Sequence, residues 1–337
     1  MDMNTFNPLH FYGWFNGSVA LVVCTVLLPL VLHFAHRWQL HDHPGELKPH
    51  ASPTPRLGGI AMGAALVAGV SVGGAGLFSP ALLVFVALLL VWVTGVLDDL
   101  ADIPPGIRLV VQSMAGLLVA QTQWRMTITG HVWVDSLLTC LFVVIFVNAL
   151  NFFDGADGLA AGVIAVVSLG YIALYSTRGP SVGAAVSWAL LGTSLGFLLY
   201  NFPPAKIFMG DSGSTVLGFL AAFLGLDFYR VHHAVGTHLL LPLAFAGLPL
   251  LDLCLAVVRR VRKGASPFLG DRQHFYDLLK EQGWSARPIA IGSYLATACL
   301  VLVGWLCTLL TPGIALLAVT VAFASLAITA VRLGSLR

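Results

Sequence analysis

Apolar runs of about 14 to 23 residues recur from one end of this chain to the other, each close to the length a helix needs to cross roughly 30 Å of hydrocarbon. They fall at 18–36, 58–76, 80–97, 108–121, 134–150, 159–176, 183–200, 212–227, 237–259, 288–308 and 312–331. This spacing predicts eleven transmembrane helices, or ten where the fourth or eighth, the weakest runs, is re-entrant. Only 9% of the 337 residues are charged and mean hydropathy is +0.90, whereas a soluble domain carries roughly 25% charge. The expected fold class is an all-α polytopic membrane protein. One integral membrane domain over 1–337 is expected, because the longest loops, 37–57 and 260–287, are too short for a separate soluble core.

Charge is distributed unevenly between the two sets of loops. Fourteen of the seventeen Lys and Arg fall in odd-numbered loops or the C-terminal tail, leaving Arg125, Arg178 and Arg230 on the other side. The positive-inside bias then puts the odd loops and the C-terminus in the cytoplasm and the N-terminus outside. Eleven of the fifteen carboxylates share that cytoplasmic side, so the chemistry is expected there. The first apolar run follows a stretch without basic residues and without a small-residue cleavage pattern, which predicts a retained span. Cys24, Cys140, Cys254, Cys299 and Cys307 all lie in predicted spans without CxxC spacing and read as buried apolar filler. His232 and His233 have no nearby carboxylate beyond Asp227 and read as solvated.

Five cytoplasmic loops carry the polar signals. The first contains Lys48 and Arg56 among prolines, before Gly58 and Gly59; these cations suit an anionic ligand or simply follow the positive-inside rule. The third opens with Asp98-Asp99 at a membrane border, where adjacent acids call for a cation or a proton-transfer role, or else end the helix. The fifth places Asn148, Asn151, Asp154 and Asp157 at intervals of three, with Gly155 and Gly158 allowing tight turns. Its amides and carboxylates can read a polar heterocycle, or form an Asx-capped turn; it lacks the alternating ligands and final Glu of an EF-hand.

The seventh loop, Phe208-Met209-Gly210-Asp211-Ser212-Gly213-Ser214, sets a carboxylate between glycines at a helix start. Backbone amides there favour phosphate and Asp211 can hold the accompanying divalent ion; a simple helix cap is the alternative. In the ninth loop, Arg259, Arg260, Arg262 and Lys263 read as a topology anchor, whereas Arg272 and His274, in a polar turn among acids, are better candidates for phosphate contact.

Taken in order, these loops resemble the polyprenyl-phosphate N-acetylhexosamine-1-phosphate transferases, the family containing WecA, TagO and MraY. The resemblance implies transfer of a sugar 1-phosphate from a UDP-N-acetylhexosamine to undecaprenyl phosphate, release of UMP and a need for Mg2+, with Mn2+ as a substitute. It casts Asp211 as the metal ligand, with Asp154 as a second candidate, and Asp98 and Asp99 as the pair that handles the lipid phosphate. Asn148, Asn151, Asp154 and Asp157 match the uridine-reading loop and Phe208 the aromatic that stacks on uracil. Lys48, Arg56, Arg272 and His274 would neutralise phosphates.

The implied setting is the bacterial inner membrane and the start of a lipid-linked envelope glycan, with no nucleic acid and with a homodimer as the candidate assembly. Two departures narrow the match. Asp102 stands where MraY types have Lys, as in the WecA-like branch, with Arg108 available to replace that cation, which points away from a muramyl-pentapeptide substrate. His274-Phe275-Tyr276-Asp277 replaces the common His-x-His-His cluster. The competing classes are a transporter with an acidic ion site, for which Asp252 is the one acid expected well inside a span, and an inactive scaffold.

Overall fold

The computed structural model describes residues 8–42, 53–72, 81–176, 181–232, 240–266 and 273–336. Lys48, Arg272 and His233 lie outside them. The chain runs α1 (Pro8–Arg37), β1 (His41–Asp42), β2 (Thr54–Pro55), α2 (Gly58–Val72), α3 (Leu82–Ala101), α4 (Pro105–Ala120), α5 (Val132–Phe153), α6 (Leu159–Ser176) and α7 (Val182–Asn201). It continues with α8 (Gly210–His232), α9 (Leu240–Phe245), α10 (Gly247–Arg262), α11 (Phe275–Glu281), α12 (Ala286–Cys307) and α13 (Pro312–Leu333).

Among the described residues, eight helices are long and apolar enough to cross a membrane: α1, α3, α5, α6, α7, α8, α12 and α13. The protein is an all-α, multi-pass membrane protein. Three predicted spans take other forms. The second and fourth are helices of 15 and 16 residues, roughly 23 Å at 1.5 Å per residue and short of a full crossing. The ninth breaks at Ala246 into α9 and α10, because Pro249 has no N–H to return to the Phe245 carbonyl.

The eighth run, weak in hydropathy, is a full helix and the axis of the fold. Of its most apolar window 89% is buried inside the protein, against 17% for α13. Its low hydropathy and its central place share one cause. Gly, Ser and Thr near its start let α2, α3 and α5 approach closely, and a helix sheathed by protein needs no lipid-facing stripe. Leu295, Leu316, Leu317 and Val321 on α12 and α13 show the opposite case, apolar side chains turned outward as lipid requires. The cysteines divide in the same way: Cys24, Cys140 and Cys307 are buried as expected, but Cys254 and Cys299 face outward.

A two-stranded antiparallel hairpin pairs His41 with Pro55 and Asp42 with Thr54. It closes the first long loop and delivers Arg56 to the start of α8, where Phe208 N–H donates to the Pro55 carbonyl at 2.8 Å and Gly58 N–H to the Phe208 carbonyl at 3.0 Å.

Candidate active site

The start of α8 is built around Gly210. Its φ of +68° is a left-handed turn open to glycine, and a Cβ there would collide with the Arg56 carbonyl and the Asp99 carboxylate. The turn aims the first amides of α8 at Asp99, whose Oδ1 accepts from Asp211 N–H at 2.8 Å and whose Oδ2 accepts from Ser212 N–H at 3.1 Å and Ser212 Oγ at 2.6 Å. A carboxylate from α3 thus occupies the positive end of α8 and satisfies two of its orphan donors. The sequence reading offered these amides to phosphate. The fold gives them to Asp99, a partner 112 residues away that local spacing does not disclose.

Asp98, buried beside Asp99, faces a different group. Its Oδ2 accepts from Arg108 Nη1 at 2.7 Å, and the same nitrogen donates to Asp211 Oδ2 at 2.6 Å. Two carboxylate oxygens on different helices therefore converge on one cationic point, in short charge-assisted bonds. Asp98 Oδ1 also accepts from Ile103 N–H at 2.5 Å, which fixes the turn into α4 and so brings Arg108 within reach. Asp211 Oδ1 accepts from Asn151 Nδ2 at 2.9 Å, and Asn151 also donates to Ser214 Oγ at 3.0 Å. A small cleft opens here, lined by Arg108, Gln112, Asp211 and Thr215 with Val91 and Val111.

The fifth loop contributes unequally. Asn151 joins the acids directly, whereas Asn148 turns to α4 and donates to Gln112 Oε1 at 2.6 Å. Asp157 accepts from Ala205 N–H at 3.0 Å, and Asn201 braces the same junction through Gly158 N–H at 2.9 Å and the Ile207 carbonyl at 2.8 Å. Burial pushes the Asp154 carboxyl well above the usual range, and the negative charges of Asp211, Asp99 and Asp157 push it further. A carboxyl whose pKa is higher in the folded state destabilises the fold when ionised, by an amount that grows as pH rises above the unfolded value near 3.9 and levels off above the folded one. Asp154→Asn is therefore expected to raise the melting midpoint at pH 8 and to change it little at pH 4. Equal midpoints for the two proteins at pH 8 would remove Asp154 from the acidic cluster.

Arg56 reaches the cluster from the hairpin, its Nε donating to the Asp99 carbonyl at 2.9 Å and its Nη2 to Asp102 at 3.4 Å. Phe208 is half-buried beside Gly210. His274 is buried away from solvent, with Nδ1 2.6 Å from Asp252 Oδ2, and Arg260 lies over the Phe152 ring at 4.9 Å. Arg259 is also buried and donates to the Ser335 carbonyl at 2.7 Å. The anchor expected of Arg259 and Arg260 is thus built partly of interior contacts. Four side chains that position the site were undervalued or missed in the sequence: Arg108, Gln112, Asn201 and Asp252. Arg108 had a signal as the first cation beyond the acidic pair, and Asp252 as an acid within a predicted span.

Residues 81–229, from the start of α3 almost to the end of α8, match the model of glycosyl transferase family 4. A probable undecaprenyl-phosphate N-acetylglucosaminyl 1-phosphate transferase of Bacillus subtilis is 31% identical over 288 residues, covering 82% of this chain and 80% of that protein. The chain belongs to glycosyl transferase family 4. Other similar members are the decaprenyl-phosphate N-acetylglucosaminephosphotransferase of Mycobacterium leprae, 33% identical over 325 residues, and the undecaprenyl-phosphate alpha-N-acetylglucosaminyl 1-phosphate transferase of Escherichia coli K12, 28% identical over 317. They cover 83% and 85% of this chain, and 79% and 83% of the respective relatives. Within this family 4 chain the matched segment holds Asp98, Asp99, Arg108, Asn151, Asp154 and Asp211, and the protein is a phosphoglycosyl transferase.

Proposed function

We propose that the protein transfers N-acetylhexosamine 1-phosphate, with N-acetylglucosamine as the first candidate sugar, from its UDP derivative to a polyprenyl phosphate and releases UMP. The convergence of Asp98 and Asp211 on the Arg108 guanidinium carries this reading, because a reaction between two phosphates needs clustered charge of both signs. The names of the relatives point to the same reaction. Its net change joins an oxygen of the lipid phosphate to the phosphorus attached to the sugar and breaks the diphosphate bridge to leave UMP.

The donor set suits Mg2+. Two hard carboxylate oxygens already meet at a single cation, and Mg2+ is commonly held by one or two carboxylates plus substrate phosphates. Asp98 and Asp211 would hold the ion, with Asp154 close by, and the ion would supply neutralisation of the phosphates. Arg108 and Arg56 add fixed positive charge, and Asn151 orients Asp211. The Lys and Arg bias supports a cytoplasmic placement for this end of the helices, in a bacterial inner membrane. Water-insoluble lipid and soluble nucleotide can meet only at such a boundary. The transporter reading loses its main support, since Asp252 is engaged by His274 and the other acids of the site gather at one end of α8.

The direct test supplies purified protein with polyprenyl phosphate and a panel of UDP-N-acetylhexosamines and scores UMP. Release that requires both substrates and stops with a chelator supports the reading; vesicle uptake without UMP supports the transporter. Phe208→Ala is expected to raise KM for the UDP-sugar with little change for the lipid, since one stacking contact is worth about 1 to 3 kcal/mol, roughly 5- to 150-fold. An unchanged nucleotide KM would refute stacking by Phe208.

A further inference from the structure

Asp252 lies in the second turn of α10, beyond the break at Ala246, and is 5% exposed. Buried carboxylates are costly unless they are paired and hydrogen-bonded. Here both oxygens are engaged by one short stretch of the ninth loop: Oδ2 lies 2.6 Å from His274 Nδ1, and Oδ1 accepts from Phe275 N–H at 3.3 Å. A carboxylate at Nδ1 sets which ring nitrogen carries the proton and fixes the ring plane.

The fixed ring meets the fifth loop. His274 stacks on Tyr276 with centroids 5.3 Å apart and 4° between planes, and sets its edge to Phe152 at 6.3 Å. Tyr276 Oη donates to the Phe152 carbonyl at 3.1 Å, and Gly155 has no room for a Cβ beneath that hydroxyl. Phe153 stacks on Phe275 at 5.6 Å. Phe152 and Phe153 separate Asn151 from Asp154, so the α10–α11 side grips the backbone between two residues of the acidic site.

We propose that Asp252 is a positioning residue of the transfer reaction, acting through His274 to seat the 151–154 segment at the reacting phosphates. The inference rests on the reaction given under Proposed function, and its test has one arm independent of that reaction. The full-length enzyme, Asp252→Asn, His274→Gln and the double variant are assayed for UMP release against UDP-N-acetylglucosamine and polyprenyl phosphate. Asp252→Asn is expected to lower kcat/KM for the UDP-sugar by about 10- to 100-fold, by analogy with the carboxylates that orient metal-ligating histidines. KM for the lipid should hold. The double variant should be no worse than His274→Gln alone, because a residue that acts through another adds nothing once that other is gone. Losses that multiply would assign Asp252 a separate, merely structural role and overturn the proposal.

The second arm labels histidine with 15N and follows the Nδ1–H resonance that disappears in His274→Gln. Asp252→Asn should move it, and an unmoved resonance overturns the dyad. Absence of UMP from the wild-type enzyme would refute the reaction, while this resonance still decides whether Asp252 sets the imidazole.

Discussion

Asp211→Asn is expected to lower UMP release by at least about a hundredfold at saturating substrates, the scale of losing a charge-stabilising group at a reacting centre. The melting midpoint should stay near that of the unaltered protein. The reason is local. The backbone N–H of residue 211, which Asp99 accepts, survives the substitution, so the start of α8 keeps its cap. The new amide keeps an acceptor for Asn151 and turns its NH2 toward Arg108, whose partly exposed guanidinium can shift to water; the lost charge also stops repelling Asp99 and Asp154, and these effects offset each other. The activity loss should come with a weaker response to added Mg2+, measured by titrating the ion at fixed substrates. Near-normal turnover in a folded Asp211→Asn protein would remove this residue from the site and leave Asp98 and Arg108 without a centre to serve.

The sequence disclosed what depends on composition and order. Long apolar runs could only be helices in a bilayer, and the pattern of Asp98-Asp99, Asn151, Asp154 and Asp211 in successive odd loops implied one shared pocket. The structure brings those residues together at the head of α8. What was hidden depends on contacts far apart in the chain. That Asp99 would cap α8 cannot be read from either segment alone, since an acid at a helix end looks the same whether it binds phosphate, metal or amide. Asp252 looked like an ion-pathway residue because its partner, His274, lies 22 positions on and beyond a turn. Asn201, the last residue of α7, braces Gly158 across 43 positions of chain, a contact neither segment discloses alone. The break of the ninth span was in principle legible from Pro242, Gly247 and Pro249, which hydropathy averages over.

The adjacent acids 98 and 99 should both lose turnover on amide substitution but differ in stability, although composition and burial scarcely distinguish them. Asp99→Asn places an NH2 where Asp99 receives Ser212 N–H, Ser212 Oγ–H or Asp211 N–H, so whichever way the amide turns, a buried donor faces another donor. Each unsatisfied buried donor costs about 1 to 3 kcal/mol, and loss of a helix cap about 0.5 to 2 kcal/mol, so a fall of several degrees in melting midpoint is expected, together with lost turnover. Asp98→Asn keeps an acceptor for Ile103 N–H and turns its NH2 toward the Arg108 guanidinium, which is partly exposed and can shift toward water while Asp211 still holds it, unlike the buried amides that Asp99 caps. Turnover should collapse there with the midpoint little changed. Differential scanning fluorimetry beside the UMP assay separates the two outcomes. Equal midpoints for both variants would mean that Asp99 is not the clamp at the head of α8, and its carboxylate would then be available to the substrates in the same way as that of Asp98.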